Sequence, residues 1–363
     1  MKRSIQIDIL RLVAIVLVLA RHLDVCPVTT SRLGNWISEL LRCGGWIGVD
    51  LFFVLSGFLV SGLLFSEYQK RGCLSYKRFL MRRGFKIYPA FWVLILTTLI
   101  WRVLKGEPIP IRTLLCELLF VQNYGSRLWS HNWSLAVEEH FYIILPVVLL
   151  AMVRFAGNKA APFKGIPIVF TLIAVLCLTM RIMAGRSGVF DLYPTHLRID
   201  GLLFGVLLSY YFCFDSRRFN QFARARWKWL ICFGCALVVP AFMIEHRNSF
   251  YLYTFGLTHI YIGCGLILVA VIGLGIRETT ASRAAAFIGS RSYSIYLWHM
   301  FAIAAVAKAT SFLGLRDSYF VCTGASVVAA ILLGICMATL VEYPLLRIRD
   351  KLYPSYSSGV VSR

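Results

Sequence analysis

Residues 45–65 read GWIGVDLFFVLSGFLVSGLLF, an apolar run whose one charge is Asp50. A helix crosses a bilayer core with about 20 such residues, so this run predicts a spanning helix. The next stretch, 66–88, is its opposite. SEYQKRGCLSYKRFLMRRGFKIY carries Lys70, Arg71, Lys77, Arg78, Arg82, Arg83 and Lys86. An apolar run closed by a short basic loop marks the side on which positive charge is retained, the cytoplasm.

The same alternation extends in both directions. Ten segments can be drawn, at roughly 7–23, 45–65, 87–104, 134–154, 166–184, 197–214, 229–245, 256–276, 292–310 and 319–341. Their loops alternate in charge, and about two thirds of the 38 Lys and Arg residues fall on the set that includes both termini. The expectation is an all-α polytopic bundle of about ten transmembrane helices with both termini cytoplasmic, multi-pass in the inner (plasma) membrane. Residues 1–347 would form the membrane domain and 348–363 a short cytoplasmic tail. Composition agrees: 59% of the 363 residues are hydrophobic and only 15% charged, against about 25% charged in soluble domains.

The net charge of +21 could suggest nucleic acid. Its distribution argues against that, because the basic residues sit in short loops and form no stripe. They suit membrane lipid headgroups and topology instead. Lys2 and Arg3 before an apolar run resemble a signal peptide, but Asp8, Arg11, Arg21 and His22 interrupt or flank it and no cleavage site follows. It reads as a retained first helix. Cys232 and Cys235 form a C-x-x-C inside an apolar helix without His or acidic neighbours, so no metal is expected there. Cys26 and Cys43 share one outer loop and could pair. Pro27, Pro89, Pro146, Pro194 and Pro344 are placed near helix ends, where a missing N–H costs little. Residues 111–121 read as a short helix at the interface.

Ionisable groups at membrane depth cost roughly 2.5–3.5 kcal/mol each on insertion scales, so those present need a reason. In the first helix Asp8, Arg11 and His22 share one face at 100° per residue. Arg11 and His22 stand about 16 Å apart along the axis. Asp50, Glu138, Glu139, Arg198 and Asp200 begin their helices at the same outer level as His22, as does the stretch His131-Asn132-Trp133-Ser134. A neutral His beside a carboxylate suits removal of a proton from a hydroxyl. Glu138, Glu139 and Asp50 are all candidates to orient His22. Ion pairing with a nearby Arg is the alternative for each outer acid, Asp200 with Arg198 above all. The basic run 76–89, with interleaved aromatics, suits an anionic adenine nucleotide or simple leaflet anchoring. His299 either faces the same channel or bonds within the bundle.

Seven stretches stand in a fixed order: Asp8-x-x-Arg11 with His22; residues 48–58, GVDLFFVLSGF; Arg82-Arg83 with Tyr88-Pro89; and His131-x-Trp133-Ser134-Leu135-x-Val137-Glu138-Glu139-x-Phe141-Tyr142. Arg198-x-Asp200-Gly201-Leu202-Leu203-Phe204-Gly205, Ser292-Tyr293-x-x-Tyr296-Leu297-x-His299 and Glu342-x-Pro344 complete them. This order resembles the membrane acyltransferase-3 family across nearly the whole chain. The resemblance implies a ten-helix fold and transfer of an acyl group, by default acetyl, from acyl-CoA as co-substrate, with no metal. It implies functional roles for Arg11 and His22 and importance for Arg82, Arg83, Glu138 and Glu139. Joined to the reading of the residues, the expectation is a catalytic His22 with Glu138 or Asp50 beside it, and donor binding by Arg11, Arg82, Arg83 and Lys86. His131, Trp133 and Glu139 are the expected acceptor contacts. Lys86 stands where the family pattern suggests arginine, and Arg21 where it suggests an apolar residue. The acceptor class implied is a carbohydrate or glycolipid hydroxyl at the outer face. Some relatives carry a fused esterase-like domain. The sequence here shows none, so the acceptor is expected to reach the membrane domain directly or through a separate acyl-accepting partner protein. A secondary transporter or exporter of a sugar or lipid precursor is the alternative reading. Transporters tend toward repeated halves and midplane polar groups, and neither is found here.

Overall fold

The computed structural model describes residues 4–24, 27, 29–158, 161–245, 249–315 and 318–354. Fifteen α-helices and no strand are found among them. The chain opens with α1 (Ile5–His22), α2 (Arg32–Gly44), α3 (Ile47–Arg71), α4 (Tyr76–Leu104) and α5 (Ile111–Leu118). It continues through α6 (Trp133–Phe155), α7 (Ile166–Arg186), α8 (Ile199–Phe214), α9 (Ser216–Val238) and α10 (Pro240–Met243). Then follow α11 (Leu257–Leu274), α12 (Thr280–Gly289), α13 (Ser292–Phe312), α14 (Tyr319–Met337) and α15 (Tyr343–Leu352).

Eight of the helical runs are long and apolar enough to cross a membrane. The two remaining expected segments also form helices. α8 is shorter, at 16 residues, and α1 carries Asp8, Arg11 and Arg21 within its 18.

The burial of each helix says where it stands. In α3, 72% of the apolar window is buried, against 17% in the run containing α7. α3 is therefore the axle of the bundle, apolar on all sides as an interior helix must be. α7 turns Ile168, Leu172, Val175 and Met183 outward to lipid. The axle packs closely because its neighbours are small where they cross. A Cβ on Gly57 would lie 1.9 Å from the Leu202 carbonyl oxygen, and one on Gly205 2.2 Å from that of Val54. α3 and α8 thus meet backbone to backbone, the small-residue packing that holds helices together in lipid.

Several boundaries differ from expectation. The basic stretch 76–86 is the first half of α4 and not a loop. Pro89 and Pro146, expected near helix ends, lie inside α4 and α6. Inside a bundle, neighbouring groups can re-satisfy the backbone freed by proline, so the helix runs on. α2 and α12 fall in stretches that hydropathy assigns to loops, because their mixed polar sequences lack a spanning length. Cys26, and with it the Cys26–Cys43 pairing, lies outside the described residues, as does 355–363 of the expected tail.

Candidate functional site

α3 lines a cavity of ≈ 450 Å³ along nearly its whole length, from Val49 to Glu67. At 1.5 Å per residue that is a span of about 27 Å, most of a bilayer core. The two ends differ in chemistry. At the end formed by the starts of α1 and α4 and by α15, Arg11, Arg78, Arg82, Arg83, Lys86 and Arg349 line the wall. At the other end the wall is Ser134, Phe53 and Tyr296.

The cations at the basic end are not equally committed. Arg11 holds Asp8 at 3.2 Å. Arg82 pairs with Asp350 at 3.2 Å and donates to the Tyr353 carbonyl, tying α4 to α15. Arg83 and Lys86 have no carboxylate within 4.0 Å among the described residues. Arg83 instead lies over the rings of Tyr142 and Phe79, at 5.4 and 5.8 Å. Midway stands a polar chain. The Tyr142 hydroxyl donates to Glu138, so Ser56, 2.6 Å from that hydroxyl, donates to Tyr142. Glu139 accepts from Tyr88 at 3.1 Å.

Three histidines gather beyond the opposite end. The His22 and His299 rings are stacked at 5.0 Å and 21°, and the His131 ring meets His299 at 4.7 Å and 62°. Tyr296, on the cavity wall, has its ring 5.4 Å from His131. Its hydroxyl donates to the His131 carbonyl at 2.8 Å, and Ser134 donates to that hydroxyl at 2.5 Å. The cavity and the histidines are thus separated by the side chain of Tyr296.

The carboxylates named in the sequence take other partners. No hydrogen bond joins His22 to Glu138, Glu139 or Asp50. Asp50, a candidate to orient that ring, is paired with Arg198 at 2.8 Å, with both side chains buried. Asp200, expected to pair with Arg198, is bound by Arg181 at 2.8 Å. Arg198 lies in sequence beside Asp200, but α3 brings Asp50 to it and α7 brings Arg181 to Asp200. Trp133 packs edge-on to Phe53 at 5.9 Å and beside Arg198 at 5.4 Å.

The segment before α6 is held by a group the sequence reading passed over. Glu117 on α5 is 0% exposed and accepts from the Leu128 amide at 2.7 Å and the Asn132 side chain at 3.1 Å. Burial pushes its carboxyl up to about 7 against those two bonds. Burial also holds the His131 ring down at about 3, aided by His22 nearby, so it stays neutral. Also missed were Ser56, Tyr142, Tyr296 and Arg349, whereas Arg78 belongs to the basic run 76–89. The signal existed for Tyr142 and Tyr296, which stand one helical turn from Glu138 and His299 in their own motifs, and therefore on the same faces. None existed for Arg349, which reaches the cavity only by the folding back of α15.

Among the described residues, no group of three or more His, Cys, Asp or Glu side chains is arranged to hold a metal ion. A family model described as an acyltransferase domain matches residues 4–347. The peptidoglycan O-acetyltransferase OatA of Listeria monocytogenes is 30% identical over 320 residues, 81% of this chain and 48% of that protein. A provisionally named O-acetyltransferase of Staphylococcus aureus is 27% identical over 325 residues, 83% of this chain and 50% of its own. A provisionally named peptidoglycan O-acetyltransferase of Bacillus subtilis, YrhL, is 28% identical over 318 residues, 81% of this chain and 47% of its own. The chain spans about half the length of these relatives. No solved structure matches it.

Proposed function

The chain belongs to the membrane acyltransferase family whose domain model covers residues 4–347, and from that premise we propose that it transfers an acetyl group from cytoplasmic acetyl-CoA to a glycan hydroxyl at the outer face. The observation that carries the reading is the cavity, long enough to reach from one leaflet toward the other and basic at one end only. Membership replaces the transporter alternative with an enzyme.

In this reading the basic end faces the cytoplasm. Arg83 and Lys86, which have no carboxylate within 4.0 Å among the described residues, take the phosphates of the donor, with Arg11, Arg82 and Arg349 around them. Charge-assisted bonds of this kind are worth about 1.5–3 kcal/mol each. The donor's arm extends along α3 past Ser56, Tyr142 and Glu138, and its thioester comes to rest near Tyr296 and the histidines. There His22 takes the proton of the acceptor hydroxyl as that oxygen attacks the thioester carbonyl. The carbon–sulfur bond breaks, and the proton ends on the departing sulfur. Peptidoglycan is the first acceptor to try, because two of the relatives are named for it. The localisation that follows is the inner membrane.

The test is equilibrium binding of radiolabelled acetyl-CoA to purified protein in detergent. Saturable binding is expected in wild type and in His22→Ala, weakened on the order of tenfold or more in Arg83→Ala. Binding that is indifferent to both Arg83→Ala and Lys86→Ala would remove the donor assignment.

A further inference from the structure

The surroundings of His22 hold rings where a base of this kind ordinarily has a carboxylate. His299 is 0% exposed, and its Nδ1 lies 2.6 Å from the Tyr296 carbonyl oxygen. A carbonyl only accepts, so Nδ1 carries the hydrogen, and in the neutral ring Nε2 is left with a bare lone pair. That Nε2 is buried and has no hydrogen-bond partner among the described residues, as is true of the two ring nitrogens named next. His131 is fixed in the opposite tautomer, with Nε2 3.3 Å from the Leu297 carbonyl oxygen and Nδ1 buried without a partner. One turn of α13, through two successive carbonyls, thus sets two of the three rings. The third, His22, has a buried Nε2 without a partner and lies face to face with His299 at 5.0 Å.

We propose that His299 is the positioning residue of His22, holding that ring by stacking and sharing the charge it gains when it takes the acceptor's proton. The inference rests on the acyl-transfer reading above. In the step itself, the hydroxyl O–H bond breaks, an oxygen–carbon bond forms to the acyl group, and the proton goes to His22. As the carbon–sulfur bond breaks, His22 returns the proton to the sulfur, and acid and base balance. Between those events His22 is an imidazolium inside the bundle. A cation within about 6 Å of a ring centroid is drawn to its face, and His299 offers such a face, stacked on His22 at 5.0 Å. A carboxylate in the same place would attract the imidazolium more strongly. It would also repel the negative charge developing on the carbonyl oxygen and the sulfur, and a neutral ring avoids that conflict. Stacking further restricts rotation of the His22 ring. Misplacement of a reacting group by about 1 Å can cost on the order of 100-fold in rate.

The experiment measures release of free CoA thiol from acetyl-CoA by the purified full chain, with solubilised glycan strands as acceptor. His299→Gln keeps a polar side chain and removes the ring, and His299→Phe keeps a ring and removes the nitrogens. The expected result is a kcat lowered on the order of 100-fold in His299→Gln with KM for acetyl-CoA unchanged, and partial recovery in His299→Phe. A wild-type kcat in His299→Gln overturns the proposal. So does a loss carried by KM alone, or a Phe variant no better than Gln when both elute as folded monodisperse protein. His22→Ala is assayed alongside. If it remains active, His22 is not the base and the role of His299 falls with it, whereas an inactive His22→Ala beside a fully active His299→Gln removes only the role of His299; acceptor-dependent CoA release absent from the folded wild type overturns the acyl-transfer reading itself.

Discussion

Glu117 shows how a single residue carries its environment into a measurable quantity. Its ordinary carboxyl value is 4.5, and burial in the fold raises it to about 7. A carboxyl raised in this way stabilises the folded chain in its protonated form. That contribution is fully present below pH 4.5 and is lost as pH rises through about 7. The melting temperature of the purified protein should therefore fall across this window, and Glu117→Gln should flatten the slope. Gln is well suited to the test. Its oxygen can accept from the Leu128 amide, and its amide can donate to Asn132 Oδ1, which is buried without a partner. A slope unchanged in Glu117→Gln would show that other groups set the pH dependence. At the same scale, the buried pairs Asp50–Arg198 and Arg181–Asp200 fasten α3, α7 and α8 at one level. Their members are matched by the fold and could not be matched by adjacency in sequence.

At the scale of the element, α3 is the part on which the others depend. It supplies one wall of the cavity, and its crossing with α8 leaves no room for a side chain at Gly57 or Gly205. Gly57→Val should drive the two helices apart and collapse the yield of folded protein. Gly72→Val would be a poor control, because its φ of 68° strains any residue with a Cβ. Gly324→Val is the better one, since a Cβ there meets nothing within 4 Å. Comparison of the two variants by size-exclusion profile after detergent extraction checks the prediction. Equal yields would mean that the α3–α8 crossing tolerates separation. α15 is the other decisive element. Arg82 binds Asp350 and the Tyr353 carbonyl, and Phe85 lies 6.1 Å from Tyr353, so the last described helix closes against the basic half of α4.

For the whole molecule the prediction concerns sidedness. The cavity gives a direction, basic at one end and bordered by histidines at the other, and the charge bias of the loops predicts that the basic end faces the cytoplasm. Cys73 lies exposed between α3 and α4 at that end. In a variant retaining only this cysteine, a membrane-impermeant maleimide should label inside-out vesicles and spare intact spheroplasts. Labelling of the spheroplasts instead would invert the bundle and put the basic end outside.

The residues by themselves determined what depends on solvent. Long apolar runs must become helices in lipid, because no water is there to satisfy a bare backbone, and so all ten segments drawn from hydropathy formed helices. The charged residues within or beside those runs stood out for the same reason, since each is costly in lipid without a partner or a cavity. Arg11, Arg83, Lys86 and Glu138 do line the cavity, and His22 stands in a cluster of rings beyond its end. Which group meets which was left to the tertiary structure. Asp50 went to Arg198, Asp200 to Arg181, and His22 to His299, each across helices remote in sequence. Periodicity places a residue on a face of its own helix, but crossing angles and small-residue contacts decide what that face meets. Hydropathy is a property of single residues against solvent, whereas partnership is a property of packing.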